Sequence, residues 1–373
     1  MKIGFVLDDS LDKTDGVQQY VLTLGVWLTK QGHEVHYLVG ETKRTDVKIH
    51  SLSKNIAVRF NRNRMSIPLP ASRQAIRQLL ETERFDILHV QMPYSPQLAA
   101  RVVNLAPLTT AVVGTFHILP YGPLAKVATK ALSLLLRNNS KRFDNNLSVS
   151  VAAQQFASQW YGIQTTVLPN VIDIKQYQVK RPQQTGFKIV FLGRLVERKG
   201  CQQLLEAVSL LPEQLRQQLT VIIGGKGPLQ RRLVGRAEQL NIHNQVFFMG
   251  FIEESDKPAF LAQADIAIFP SLGGESFGIV LLEAMAAGAG VVMAGDNPGY
   301  SSVLGSLPAS LFEPQRPRQL AEQLELFLRE PSLREQLHSQ QQKLVKQYDI
   351  NVVGPRLLDI YKQAIAKRHP TKA

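Results

Sequence analysis

Short apolar runs alternate along the chain with longer stretches in which apolar positions recur every three or four residues. The short runs begin with Lys2–Leu7, Glu34–Val39, Ile87–Val90, Ala111–Phe116 and Asn146–Ser150. Continuous apolar runs of this length predict strands buried on both faces. Amphipathic stretches between them, Val17–Lys30 and Ser72–Thr82 among others, predict helices. After Thr166-Val167-Leu168-Pro169-Asn170 and the polar stretch Lys175–Gly186, the alternation restarts at Lys188–Leu192, Leu219–Ile223, Val246–Met249, Ile266–Phe269 and Gly290–Ala294. Two such runs predict an α/β protein of two Rossmann-like parallel-sheet domains, 1–168 and 169–351. A last helical stretch, about Val352–Arg368 within 352–373, has a place that the pattern leaves open, packing on the first domain being one option. Ligands of open parallel sheets lie beyond the carboxyl ends of the strands. The two domains are therefore expected to face each other across a deep cleft, with the chemistry on loops that follow strands.

Composition narrows the setting. A length of 373 residues suits two domains that each bury a core. One cysteine, Cys201, excludes an internal disulfide framework and fits a reducing compartment. The opening apolar run meets Asp8 and Asp9 too soon for a signal peptide, and no stretch approaches the roughly 18 apolar residues of a membrane span. A cytoplasmic protein is expected. The net charge of +13 leaves nucleic acid, anionic lipid and phosphorylated substrate open as partners. Its distribution helps: residues 47–80 carry Lys48, Lys54, Arg59, Arg62, Arg64, Arg73 and Arg77 and no acidic residue. Mixed with Ile67, Pro68 and Leu69, these arginines suit an anionic membrane surface, and a solvated basic helix is the alternative. Leu124–Arg137, with Lys126 and Lys130, reads either as a second membrane contact or as a buried helix. No nucleic-acid-binding motif accompanies the charge, so no nucleic-acid partner is expected.

The densest chemical signal is the run Gly273-Gly274-Glu275-Ser276-Phe277-Gly278-Ile279-Val280-Leu281-Leu282-Glu283, continuing to Gly288. It follows the strand Ile266–Phe269, so a glycine-containing loop leads into a helix beginning near Phe277. Helix N-termini offer unpaired amides and a partial positive charge, which suits a diphosphate. Phe277, Gly278 and Ile279 are the expected amide donors. Glu275, just before the helix, is placed to face a sugar, and Glu283, about two turns on, to accept from ribose hydroxyls. Gly193-Arg194-Leu195-Val196-Glu197-Arg198-Lys199-Gly200 follows the second domain's first strand. There Arg194 would bind a diphosphate bidentately and Lys199 as a point charge, stabilising a leaving group. Gly224-Gly225-Lys226-Gly227-Pro228 reads equally as a structural turn or a ligand contact.

The paired glutamates, with the Gly-Arg…Lys-Gly pattern, resemble the signature of glycosyltransferase family 4, and the 272–288 phrase resembles the phosphatidyl-myo-inositol mannosyltransferases within it. The resemblance extends over nearly the whole chain and is strong across about 188–290. It implies a retaining enzyme of the GT-B fold, with Arg194 and Lys199 at the donor diphosphate. It places Ile252, Glu254 and Lys257 of Gly250–Lys257 at the nucleotide base, where an acidic acceptor suits guanine. It makes Gly16, in Asp15-Gly16-Val17-Gln18, part of a loop over the diphosphate, and it sets Gln18 near the acceptor. Asp9 joins Gln18 there, although inositol-using relatives carry Pro-Tyr-Ser where this chain has Asp8-Asp9-Ser10. His117, ending Thr115-Phe116-His117, matches a histidine that faces the donor sugar. The catalytic set is thus His117, Glu275, Arg194 and Lys199, with no metal and no cofactor beyond the nucleotide-sugar substrate. The expected reaction moves mannose from GDP-mannose to a lipid acceptor such as phosphatidylinositol, on the inner face of the cell membrane. Rivals are a UDP-sugar enzyme acting on diacylglycerol or a growing glycan, a nucleotide-sugar epimerase, and a non-catalytic sugar-nucleotide- or lipid-binding protein. Loss of Arg194 or Glu275 is expected to lower turnover far more than stability.

Overall fold

The structure, a computed structural model, describes residues 1–12, 15–60, 63–93, 95–119, 140–182 and 186–369, with the backbone alone for 56–60 and 63–68. It divides into two compact units, Met1–Val171 with Ile350–Ala373, and Ile172–Asp349.

The first unit is a parallel sheet of β1 (Lys2–Val6), β2 (Glu34–Val39), β3 (Lys48–Ser51), β6 (Ile87–Gln91), β7 (Ala111–Phe116), β8 (Asn145–Ser148) and β9 (Thr166–Val167), in the order β3-β2-β1-β6-β7-β8-β9. A separate antiparallel hairpin, β4 (Asn55–Phe60) and β5 (Asn63–Pro68), lies between β3 and the helix Arg73–Glu83. The basic stretch 47–80 is therefore not one helix but strand, hairpin and helix. Every residue of β7 is buried, because helices cover both faces of the sheet. One face packs against the helix Gly16–Lys30 and the final helix Ile350–Arg368, through Tyr20, Leu24, Val353, Leu357 and Tyr361. Val353, Leu357, Tyr361 and Ala364 form the buried stripe of that final helix, at the three-to-four-residue spacing that one helical face requires. Trp27 Nε1 donates to Asn351 Oδ1 at 3.1 Å, which ties the final helix to the first. The other face packs against Ile76, Leu80 and Phe85 and the helix Leu98–Leu105.

The second unit is a parallel sheet of β10 (Phe187–Leu192), β11 (Leu219–Gly224), β12 (Val246–Gly250), β13 (Ile266–Phe269), β14 (Val291–Gly295) and β15 (Leu311–Phe312), ordered β12-β11-β10-β13-β14-β15. In each unit the order reverses beside the first strand, between β1 and β6 and between β10 and β13. Loops leaving the two central strands turn to opposite faces at that point and leave a crevice at their carboxyl ends. The conspicuous motifs of the second unit, 193–200 after β10 and 270–278 after β13, flank this crevice.

Candidate active site

At the β10/β13 crevice a largely buried carboxylate is met by two cations. Glu275 Oε1 accepts from Arg198 Nη1 at 2.5 Å, lies 2.9 Å from Lys199 Nζ, and accepts from Ser271 Oγ at 2.9 Å. Burial alone would raise the Glu275 pKa, but Lys199 and Arg198 overcome it and hold the carboxyl well below its usual range. Burial lowers the Lys199 pKa, aided by Arg198 and Arg194 and opposed by Glu275. Arg194 is half-buried, and no hydrogen bond or ion pair holds its guanidinium among the described residues. The sequence reading paired Arg194 with Lys199 and passed over Arg198. The short 3₁₀ turn Glu197–Lys199 presents Arg198 and Lys199 together, closed by Gly200.

Backbone contacts fix the cradle. Leu272 N donates to Arg198 O at 2.8 Å, which stitches the two loops together. Gly225, at φ +129, lies so close to the 193–200 loop that a Cβ there would meet Gly193 O at 1.9 Å. Gly225 and Gly227 thus let the backbone approach the 193–200 loop closely, a packing role for this turn. Below the 275 loop, Asn297 Nδ2 donates to Ser271 O and its Oδ1 caps Tyr300 N, both at 3.1 Å. A Cβ at Gly299 would meet Glu275 O at 2.1 Å, so only glycine lets the helix Pro298–Leu304 approach there.

The helix expected to begin near Phe277 begins at Ile279 and runs to Ala286. Gly278 precedes it at φ +101, while the Phe277 ring is buried edge-on against Tyr348. The amides of Gly278 and Ile279 meet no acceptor among the described residues. Glu283, 3% exposed, sits on the second turn. Its Oε1 accepts from Tyr177 OH at 2.9 Å and pairs with Lys257 Nζ at 3.5 Å, and Lys257 lies 2.6 Å from Glu254 Oε1. Glu283, Glu254 and Lys257, all expected from sequence, come together here with half-buried Ile252 nearby in the sequence, and Tyr177 joins them unexpected. The signal was available in Asp173-Ile174-Lys175-Gln176-Tyr177, a short helix capped by the Asp173 side chain.

In the first unit, the loop after β1 gathers Asp8, Asp9 and Gln18 around Ser10. Asp9 Oδ1 accepts from Ser10 N at 2.7 Å, and Gln18 Nε2 donates to Ser10 O at 3.2 Å. Gly16 opens the adjoining helix. Asp8 Oδ1 accepts from Ala99 N at 2.7 Å, yet burial pushes the Asp8 carboxyl up to about 7. His117 is buried, with Nε2 2.7 Å from Gln91 Oε1 and its ring edge-on to Tyr20. Gln91 Nε2 donates to His89 O, which orients its Oε1 to accept, so His117 carries its proton on Nε2. Burial pushes the His117 pKa down to about 3, leaving a neutral ring whose Nδ1 is an acceptor. Arg73 and Arg77 are exposed on one helix face. Arg62 and Leu124–Arg137 lie outside the described residues, as do the side chains of Arg59 and Arg64. No helix of the described residues is long and apolar enough to cross a membrane.

Residues 14–176 match the model of glycosyltransferase family 4, and residues 173–344 match that of glycosyl transferases group 1. A phosphatidyl-myo-inositol mannosyltransferase of Mycobacterium tuberculosis is 30% identical over 380 residues, covering 97% of this chain and 96% of that protein. Its counterpart from Propionibacterium freudenreichii is also 30% identical, covering 97% and 94%. Among solved structures, sucrose-phosphate synthase from Thermosynechococcus elongatus is similar with a TM-score of 0.79, at 19% identity over 98% of this chain and 99% of that one. Anabaena Alr3699/HepE, in complex with UDP, gives 0.77 at 19% identity over 97% and 100%.

Proposed function

The chain belongs to glycosyltransferase family 4 and has the GT-B fold, and from that premise we propose that it moves mannose from GDP-mannose, with retention, onto a membrane lipid such as phosphatidylinositol. The observation that carries this reading is the Glu275–Lys199–Arg198 cluster beside the Arg194 guanidinium and the amides of Gly278 and Ile279, which meet no partner among the described residues. It is a cradle of fixed positive charge at a sheet crevice, suited to a diphosphate whose charge grows as the glycosidic bond breaks. Glu275 holds Lys199 and Arg198 in place and offers its second oxygen to sugar hydroxyls. Glu283 accepts from the ribose, and Lys257, Glu254 and Ile252 border the base.

In the reaction the bond from the anomeric carbon to the diphosphate oxygen breaks, and the acceptor oxygen bonds to that carbon on the same face. The departing phosphate oxygen takes the acceptor's proton, so no protein nucleophile is needed. A neutral His117 orients sugar hydroxyls through Nδ1 and transfers no proton. Asp9 and Gln18 border the acceptor, with Gly16 close to the donor diphosphate. The proposed setting is peripheral, on the inner face of the cell membrane, with Arg73 and Arg77 against anionic headgroups. The UDP-sugar reading draws support from the fold neighbour solved with UDP.

Calorimetric titration of GDP, UDP and ADP into the wild type and Glu283→Ala tests the donor. Tight binding of GDP alone, lost in the variant, supports mannosyl transfer, and transfer to phosphatidylinositol liposomes then tests the acceptor. A preference for UDP moves the donor to a UDP-hexose, and binding of none of the three sinks the donor site.

A further inference from the structure

Away from the carboxyl ends of the strands, the first unit gathers a second set of chemically capable side chains. His36 from β2, His50 from β3 and Glu83, the last residue of the helix Arg73–Glu83, bring three ligand atoms within 4.8 Å of one another. Lys2, Glu34 and Lys48, the first residues of β1, β2 and β3, surround them, so the set lies toward the amino ends of the strands. The donor and acceptor residues discussed above have no use for it. In sequence the three are 14 and 33 positions apart; the parallel pairing of β2 with β3 brings the two histidines together, and the end of the helix Arg73–Glu83 adds the carboxylate.

We propose that His36, His50 and Glu83 form a zinc site that clamps the end of this helix to the edge of the sheet. The separations are 2.8 Å from His36 Nδ1 to His50 Nε2, 3.8 Å from His36 Nδ1 to Glu83 Oε2, and 4.0 Å from His50 Nε2 to Glu83 Oε1. Tetrahedral zinc with bonds of about 2.0–2.1 Å holds its ligands about 3.3–3.4 Å apart, so the two ring nitrogens need to open by about half an ångström and one Glu83 oxygen, within 4.8 Å of both, needs to close on them. The histidine tautomer is already set. Glu34 Oε1 lies 3.0 Å from His36 Nε2, so that nitrogen carries the proton and Nδ1 keeps its lone pair for the metal. Without metal, His50 Nε2 donates to that lone pair; metal binding moves this proton to Nδ1 of His50. Half-open His50 and Glu83 admit the ion and a water as fourth ligand, while the His36 side chain is 4% exposed. Two imidazoles with one carboxylate select zinc over magnesium or calcium. Lys2 Nζ, 2.9 Å from Glu83 Oε2, opposes the ion and weakens the site.

The full chain, freed of metal by chelation, is titrated with Co²⁺ followed by visible absorption, then with Zn²⁺ in competition, and its melting is recorded with and without Zn²⁺. One equivalent of Co²⁺ with the intense bands of tetrahedral coordination, displacement by Zn²⁺ and a raised melting temperature are expected. His50→Ala and Glu83→Gln abolish all three signals, and His50→Gln, which can still donate to His36, does so without disturbing the fold. Glu34→Gln weakens binding about 10–100-fold, while Lys2→Gln tightens it. Nucleotide binding by the second unit is unchanged throughout. Absence of saturable Co²⁺ binding by the wild type, or equal binding by the His50 and Glu83 variants, overturns the proposal and leaves a hydrogen-bonded histidine pair.

Discussion

Both units bury titratable groups near the carboxyl ends of their strands, and they keep them in opposite electrical states. In the second unit the buried carboxylates have cations beside them: Glu275 has Arg198 and Lys199, and Glu283 has Lys257. In the first unit Asp8, His89 and His117 are buried, and burial drives each toward its uncharged form, with the neighbouring Asp9 adding to the effect at Asp8. A buried charge is tolerated when paired and hydrogen-bonded, and otherwise the group neutralises. The second unit therefore presents a preorganised field suited to a diphosphate, and the first a neutral polar wall suited to hydroxyls.

The strongest way to break that contrast is to unpair the charges. Glu275→Ala leaves Arg198 and Lys199 buried without a counter-charge, which costs about 3–5 kcal/mol of stability. Turnover should fall with it by about 10²–10³. Calorimetric melting and a transfer assay read the two effects. The expectation from sequence is that loss of Glu275 lowers turnover far more than stability; the ion pairs put the two losses on a similar scale. Arg194→Ala separates them, because no described residue hydrogen-bonds to or pairs with its guanidinium. Turnover should drop by about 10²–10³ with the melting temperature unchanged. A large loss of stability in Arg194→Ala would show that the cradle's charges are structural and undo the comparison.

Acid sharpens the contrast in the first unit. His89 and His117 have folded-state pKa values depressed to about 3, so their stabilisation is present above the unfolded value near 6.5 and is lost as the pH falls toward 3. Each contributes a slope of about 1.4 kcal/mol per pH unit in that window. Asp8 acts in the opposite sense. Raised to about 7, it stabilises fully below the unfolded carboxylate value near 3.8 and loses that stabilisation as the pH rises through 7. Between about pH 4 and 6.5 the two histidines outweigh the one aspartate, so the unit loses stability on acidification. Asp8→Asn keeps the acceptor for Ala99 N and removes the opposing titration. The variant should gain on the wild type at pH 8 and lose stability more steeply below pH 6. Trp27 and Trp160, the chain's two tryptophans, both lie in this unit, so fluorescence-detected urea unfolding isolates it. Equal pH slopes for variant and wild type would place Asp8 in its ordinary ionised state.

The two units were not equally legible in the sequence. Strands such as Ala111–Phe116 and Ile266–Phe269 appear at their predicted bounds, since burial on both faces leaves an unbroken apolar run. The hairpin β4–β5 is poorly marked in the sequence: Ile56-Ala57-Val58-Arg59-Phe60 does not alternate, and no glycine-containing turn follows it. The places of Glu275 in a loop and Glu283 on the helix that follows were legible, because a glycine-containing loop after a strand leads into an apolar helical run. Arg198 was not, because two adjacent cations in one turn look interchangeable until the turn's geometry brings both to one carboxylate. The histidine state was illegible in principle: a lone His117 carries no mark of its burial or of Gln91, which the fold supplies from β6.

The finest test concerns Tyr177, whose hydroxyl donates to the same Glu283 oxygen that pairs with Lys257. Burial and then the adjacent Glu283 raise the phenol's pKa well above its usual value, so it remains a donor at any working pH. Tyr177→Phe removes one hydrogen bond to a charged acceptor and leaves Lys257 to hold the carboxylate, a cost of about 1.5–3 kcal/mol shared between fold and ligand site. If Tyr177 orients Glu283 toward ribose, the variant should weaken nucleotide binding by less than Glu283→Ala does, and Tyr177→Phe in the Glu283→Ala background should add nothing. The double-mutant cycle in calorimetric affinity reads this directly. Additive losses would mean that Tyr177 serves the ligand without Glu283, and the second unit's site would then rest on a neutral contact as well as on paired charge.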